Sequence, residues 1–219
     1  MTRTLTPVAL ALALCGVRAE PAADPATRWE KDVAAVAARA SAAPKGGIVV
    51  AGSSSARLWD VAASFPGRPV ANVGFGGSTV RDSVHFAPRL VLPLAPQTVV
   101  FYAGDNDLAA GRSAEQVRDD FAAFADVVHD ALPATRVLFV SIKPSPRRAD
   151  RRDEQDEANR LVRAFCAADP RLTFVDVVPA MLGAEGAPRA DLFRADGLHL
   201  NDRGYAIWTA AVTAAMDGK

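Results

Sequence analysis

Ile48-Val49-Val50-Ala51-Gly52-Ser53-Ser54-Ser55 decides how this chain is read, because an apolar, β-branched run ends abruptly in a glycine and three hydroxyls. A run of that length bounded by turn residues fits a strand buried on both faces of a parallel sheet. Four more runs share its character, at residues 69–73, 98–102, 137–140 and 172–175. Between them, apolar residues recur at helical spacing. Trp29, Val33, Val36 and Ala37 mark a surface helix up to Ala40, and Val117, Phe121, Phe124, Val128 and Leu132 form one stripe within 114–132. Further helical patterns cover 153–168 and 205–216. Strand and helix alternate without repeats or low-complexity linkers. The expected class is therefore α/β, a three-layer α/β/α sandwich around a five-stranded parallel sheet.

In an open parallel sheet all strands end on one edge, and ligands bind in the crevice there. Chemistry-bearing residues collect after these strands. The serines follow the first, Asn72-Val73-Gly74-Phe75-Gly76-Gly77 the second, Gly104-Asp105-Asn106-Asp107 the third, and Asp196-Gly197-Leu198-His199 comes after the fifth. Acyl transfer to water needs a hydroxyl, a base, a carboxylate to orient the base, and donors for the oxyanion. His199 is the one histidine of three in a strand-end loop with a carboxylate close by. Asp196, three residues earlier, can reach its Nδ1 in a tight turn. His85 and His129 lie in helical patterns and are read as structural. Among Ser53, Ser54 and Ser55 the residues alone do not select the nucleophile, and the other two are expected to cap a following helix. Glycine allows the close approach a donor loop needs, and an Asn amide donates without titrating. Asp105 and Asp107 are read as solvated or turn-forming rather than as metal ligands. Lys143 to Arg152 is read as a solvated loop pairing with neighbouring acids, the alternative being a cleft wall facing an anionic substrate.

These four segments, in this order, resemble the SGNH branch of the GDSL serine esterases (lipase/acylhydrolases), over residues 47–208. The resemblance implies a flavodoxin-like SGNH hydrolase fold, a catalytic set of Ser54, Asp196 and His199, and no metal or cofactor. It also implies an oxyanion hole built from the backbone amides of Ser54 and Gly77 and the side-chain amide of Asn106. Ser53 stands where the family pattern has an aspartate that helps brace the nucleophile turn. That departure motivates an alternative, a catalytically impaired exported binding module on the same fold. The absence of G-x-S-x-G around Ser54 argues against an α/β-hydrolase elbow. Residues 52–59 and 192–199 are similar to exported bacterial members and the platelet-activating-factor acetylhydrolase-like group. That similarity implies hydrolysis of short-acyl, acetyl-type carboxylic esters of a small molecule or carbohydrate through an acyl-enzyme, with lysophospholipase or thioesterase activity as the other possibility.

The N-terminus reads Met1-Thr2-Arg3, an apolar run from Val8 to Cys15, then Val17-Arg18-Ala19. This is a secretory pattern, too short for the roughly 20 residues of a membrane-spanning helix. The expected organisation is a signal peptide at 1–19, an N-terminal lead and helix at 20–46, and the SGNH hydrolase domain at 47–219. Export to the periplasm or medium follows, without a stable membrane anchor. Bulky Leu14 argues against lipidation at Cys15. The chain carries 25 basic and 25 acidic side chains, and removing 1–19 takes away Arg3 and Arg18 but no acid. Nothing in that balance attracts nucleic acid. Cys166 then has no partner for an intrachain disulfide and is read as a buried small hydrophobe.

Overall fold

The computed structural model describes residues 25–218, so the expected signal segment at 1–19 lies outside the described residues. Strands β1 (Ile48–Gly52), β2 (Val70–Asn72), β3 (Thr98–Tyr102), β4 (Arg136–Val140) and β5 (Leu172–Val175) form one sheet. Its order is β2-β1-β3-β4-β5 and every pairing is parallel. β2 is shorter than the apolar run predicts. It is an edge strand, and Pro69 has no N–H to extend the ladder.

Side-chain alternation splits the sheet into two faces, each with its own core. Val49, Ala51, Val99, Phe101, Val137 and Phe139 point toward one set of helices. These are Glu30–Ala40, Val80–Leu90, Ala114–Ala131 and Arg152–Cys166. Ile48, Val50, Val100, Tyr102, Leu138 and Val140 face the helix Asp202–Met216 through Tyr205, Trp208 and Val212. The three-layer sandwich follows from that two-sided burial. Each fully buried large apolar side chain contributes roughly 1.5–3 kcal/mol, and Trp208, Phe101, Phe121, Phe124 and Phe139 are all buried.

Helix ends follow capping chemistry more closely than apolar spacing. The last helix starts at Asp202 rather than at the expected Tyr205, because Asn201 Oδ1 accepts from the N–H groups of Arg203 and Gly204. The helix Val80–Leu90 opens on a capping box between Thr79 and Asp82, which satisfies two donors a helix start leaves free. His85 is an exposed residue of that helix, and His129 is buried with Nε2 on Thr135 O. Cys166 is buried, and burial pushes its thiol up to about 12.

In this strand order the chain runs from β1 outward to β2 and then crosses back to β3. The topological switch point therefore lies between β1 and β3, where the carboxyl-edge crevice opens. Ser54 follows β1 and Asn106 follows β3.

Candidate active site

Gly52 ends β1 at φ +120°, and a Cβ there would sit 2.0 Å from Tyr102 O, so only glycine lets the chain turn away from β3 at this point. The turn leads into the short helix Ser54–Arg57. Two side chains hold it. Asn72 Nδ2 donates to Ala56 O at 2.7 Å and Trp59 O at 3.1 Å, while Tyr205 donates its hydroxyl to Ser55 O at 2.9 Å. The expectation that Ser53 and Ser55 cap this helix is corrected. Ser53 occupies the cap position but makes no side-chain cap bond, and Ser55 is buried inside the helix.

Asp196 and His199 sit at the tip of a small hairpin closed by an antiparallel bridge between Phe193 and Leu200. Asp196 Oδ1 accepts from the backbone N–H groups of Leu198 and His199, both at 2.9 Å. Its Oδ2 lies 2.6 Å from His199 Nδ1, and His199 Nε2 lies 2.9 Å from Ser54 Oγ. The His199 contact and these backbone donors hold the Asp196 carboxyl well below the usual carboxylate range. An ionised Asp196 fixes the proton on Nδ1 and leaves Nε2 free to accept.

The expected oxyanion donors lie on the adjoining loops. The N–H of Ser54 opens its helix and so has no intrahelical partner. Gly77 lies in the turn after β2 at φ +69°. Asn106 Nδ2 donates one hydrogen to Ser78 O at 3.0 Å, leaving the other without a partner among the described residues.

Beneath Asn106 lies a charged network that apolar spacing did not reveal. Asp105 and Asp107 were expected to be solvated or turn-forming; they lie in the first turn of the helix Asp105–Ala109 and are buried rather than solvated. Asp107 accepts from Val80 N and faces Arg112, and burial pushes its carboxyl up to about 6. Asp105 receives Lys143 Nζ at 3.4 Å, Gln155 Nε2 at 3.3 Å and Arg148 at 2.8 Å. Lys143 is fully buried and also donates to Tyr102 Oη at 3.2 Å, with burial pulling its pKa down against the pull of Asp105. The loop from Lys143 to Arg152 is thus only partly the solvated one expected. Arg151 and Arg152 pair with Glu154 and Asp156, while Lys143 and Arg148 turn inward. An ionisable residue set between Ile142 and Pro144 directly after a buried strand was the signal available for Lys143.

A family model described as the GDSL-like Lipase/Acylhydrolase family matches residues 46–207. The chain is 32% identical over 141 residues to platelet-activating factor acetylhydrolase IB subunit alpha1 of Pongo abelii, covering 62% of this chain and 58% of that one. The Homo sapiens protein of that name is 32% identical over 140 residues, with 61% and 58% covered. The chain thus spans less than two thirds of the length of these curated relatives. Among solved structures, a GDSL-like lipase from Bacteroides thetaiotaomicron superimposes with TM-score 0.70 at 22% identity, covering 89% of this chain and 99% of that one. A carbohydrate esterase family 3 protein from Talaromyces cellulolyticus gives TM-score 0.61 at 18% identity, covering 78% and 96%. These two likenesses concern the fold. The family model, by contrast, takes in most of the sequence and every segment gathered around Ser54, so the chain belongs to the GDSL-like lipase/acylhydrolase family.

Proposed function

We propose that this chain is a serine hydrolase of carboxylic esters that works through an acyl-enzyme. The observation that carries the reading is the continuous line from Asp196 Oδ2 through the His199 ring to Ser54 Oγ, at 2.6 Å and 2.9 Å. His199 Nε2 takes the Ser54 proton as Oγ attacks the ester carbonyl. The charge that develops on the carbonyl oxygen is met by the N–H of Ser54, the N–H of Gly77 and the free Nδ2–H of Asn106. His199 returns the proton to the departing alcohol. Water, deprotonated by the same base, then releases the acid and restores Ser54.

Acetyl-type esters are the proposed substrates, supported by the word acetylhydrolase in the names of the relatives above. A small-molecule or carbohydrate alcohol is the proposed leaving group. Export is proposed as well, on the pattern of residues 1–19, and N-terminal sequencing of the product released by an expressing cell tests it. The absence of the family's aspartate at Ser53 does not favour the binding-module alternative, because Asn72 and Tyr205 brace the same turn.

A panel of p-nitrophenyl esters of rising chain length, run beside labelling with a fluorophosphonate, tests the reading. Turnover highest on acetate and labelling lost in Ser54→Ala support it. A folded wild type that neither turns over nor labels refutes it.

A further inference from the structure

We propose that Arg148 is a positioning residue of the oxyanion site, locking the Asn106 amide so that its free Nδ2–H is kept for the substrate oxygen; this rests on the ester-hydrolase reading above. The oxygen and nitrogen of an Asn amide are nearly the same size, so sterics alone do not choose its orientation. Here two partners choose it. Ser78 O accepts from Nδ2 at 3.0 Å, and Arg148 Nη2 donates to Oδ1 at 3.0 Å. A flipped amide would set oxygen against the Ser78 carbonyl and N–H against the guanidinium, losing both bonds.

Arg148 is itself immobilised. Its Nη1 donates to Asp105 O at 2.6 Å and lies 2.8 Å from Asp105 Oδ1. That carboxylate is buried and is held in turn by Lys143 and Gln155. Arg148 therefore fastens the loop after β4 to the loop after β3, with one face of the guanidinium fork on Asp105 and the other on Asn106. A bond from a cation to Oδ1 also draws electron density from the amide, which makes the remaining Nδ2–H a stronger donor. A lysine could neutralise Asp105 but could not span both partners.

A double-mutant cycle separates this role from general support of the loop. Arg148→Ala is expected to lower kcat about tenfold to a hundredfold, bounded by the cost of losing one oxyanion donor, with KM unchanged. In an Asn106→Ala background the same change is expected to cost almost nothing further. Added guanidinium ion is expected to restore part of the lost kcat, and Arg152→Ala, in an exposed pair with Asp156, to match the wild type. An equal loss in both backgrounds, or a raised KM at constant kcat, overturns the proposal. If Arg148→Ala does not fold, Arg148→Lys carries the same cycle, and wild-type kcat in that variant overturns it. A nitrogen–proton correlation spectrum reads the amide without any turnover. The two Asn106 Nδ2 protons are distinct in any amide because rotation about its C–N bond is slow, and in the Arg148 variant both are expected to shift and to exchange faster with solvent than in the wild type. Unchanged signals overturn the positioning role, whereas a wild type that hydrolyses no ester yet shows the Arg148-dependent amide refutes the enzyme reading alone.

Discussion

Replacing Asp196 by asparagine changes one contact and leaves two in place. The amide oxygen can still accept from the N–H groups of Leu198 and His199, now held at 2.9 Å by Oδ1, so the hairpin tip keeps its shape. What changes is the group 2.6 Å from His199 Nδ1, which becomes an N–H donor. Two donors cannot face each other at that distance. The ring answers by moving its proton to Nε2, and Nε2–H then points at Ser54 Oγ and cannot take its proton. In a serine protease the same exchange costs about 10⁴-fold in kcat, which corresponds to about 5 kcal/mol of barrier. Asp196→Asn is expected to lose about that much on p-nitrophenyl acetate, with KM and thermal unfolding close to wild type. The carboxyl is held below its ordinary range, so the native contact persists above that range and is lost only as pH falls through the depressed value. A folded Asp196→Asn enzyme with kcat within tenfold of wild type would sink the tautomer argument.

Asn106→Ala is expected to lower kcat by about a hundredfold to a thousandfold with KM nearly unchanged, and Asn106→Asp to do at least as much harm; wild-type kcat in a folded Asn106→Ala protein would make the residue structural. Ser53→Ala is expected to retain most activity, because its hydroxyl makes no cap bond, and Ser55→Ala likewise; peptide mapping of the fluorophosphonate adduct to either residue would reassign the nucleophile. Asp107, pushed up to about 6 by burial, binds a proton in the native state that the unfolded chain has already lost between about pH 4 and 6. Stability is therefore expected to fall as pH rises through that window and to level off above it, by on the order of 3 kcal/mol. Urea unfolding of wild type and Asp107→Asn at both ends of the window reads this, and equal pH slopes in the two proteins would refute it.

The strands were legible because burial on both faces leaves nearly pure apolar runs, and β3 and β5 have the bounds the runs predict. The segments around Ser54, Asp196 and His199 were legible because a parallel sheet gathers its strand-end loops by topology alone. The network beneath them was not. Tyr102, Lys143, Arg148 and Gln155 come from elements up to 53 residues apart in the sequence, between Tyr102 and Gln155, and only their packing turns Asp105 from a loop acid into a buried one. Asn72 lay inside a quoted motif, but its bonds to Ala56 O and Trp59 O depend on the neighbouring strand, which local pattern does not encode. The early start of the last helix was signalled by Asn201, a good cap residue that the apolar spacing outweighed.

The two links of the Asp196–His199–Ser54 line differ greatly in sequence range. Asp196 and His199 are three residues apart on one hairpin, while His199 and Ser54 are 145 apart. The exposed turn from Gly183 to Gly186, closed by the bridge between Leu182 and Pro188, falls between those two halves of the machinery. A chain divided there yields one fragment with the serine and the whole sheet, and a second with the base, its carboxylate and the helix Asp202–Met216. The second carries Tyr205, Trp208 and Val212, which bury themselves against the sheet. Neither piece holds a complete relay, so ester turnover would report their reassociation, and the division of labour along the sequence makes this fold a natural complementation pair.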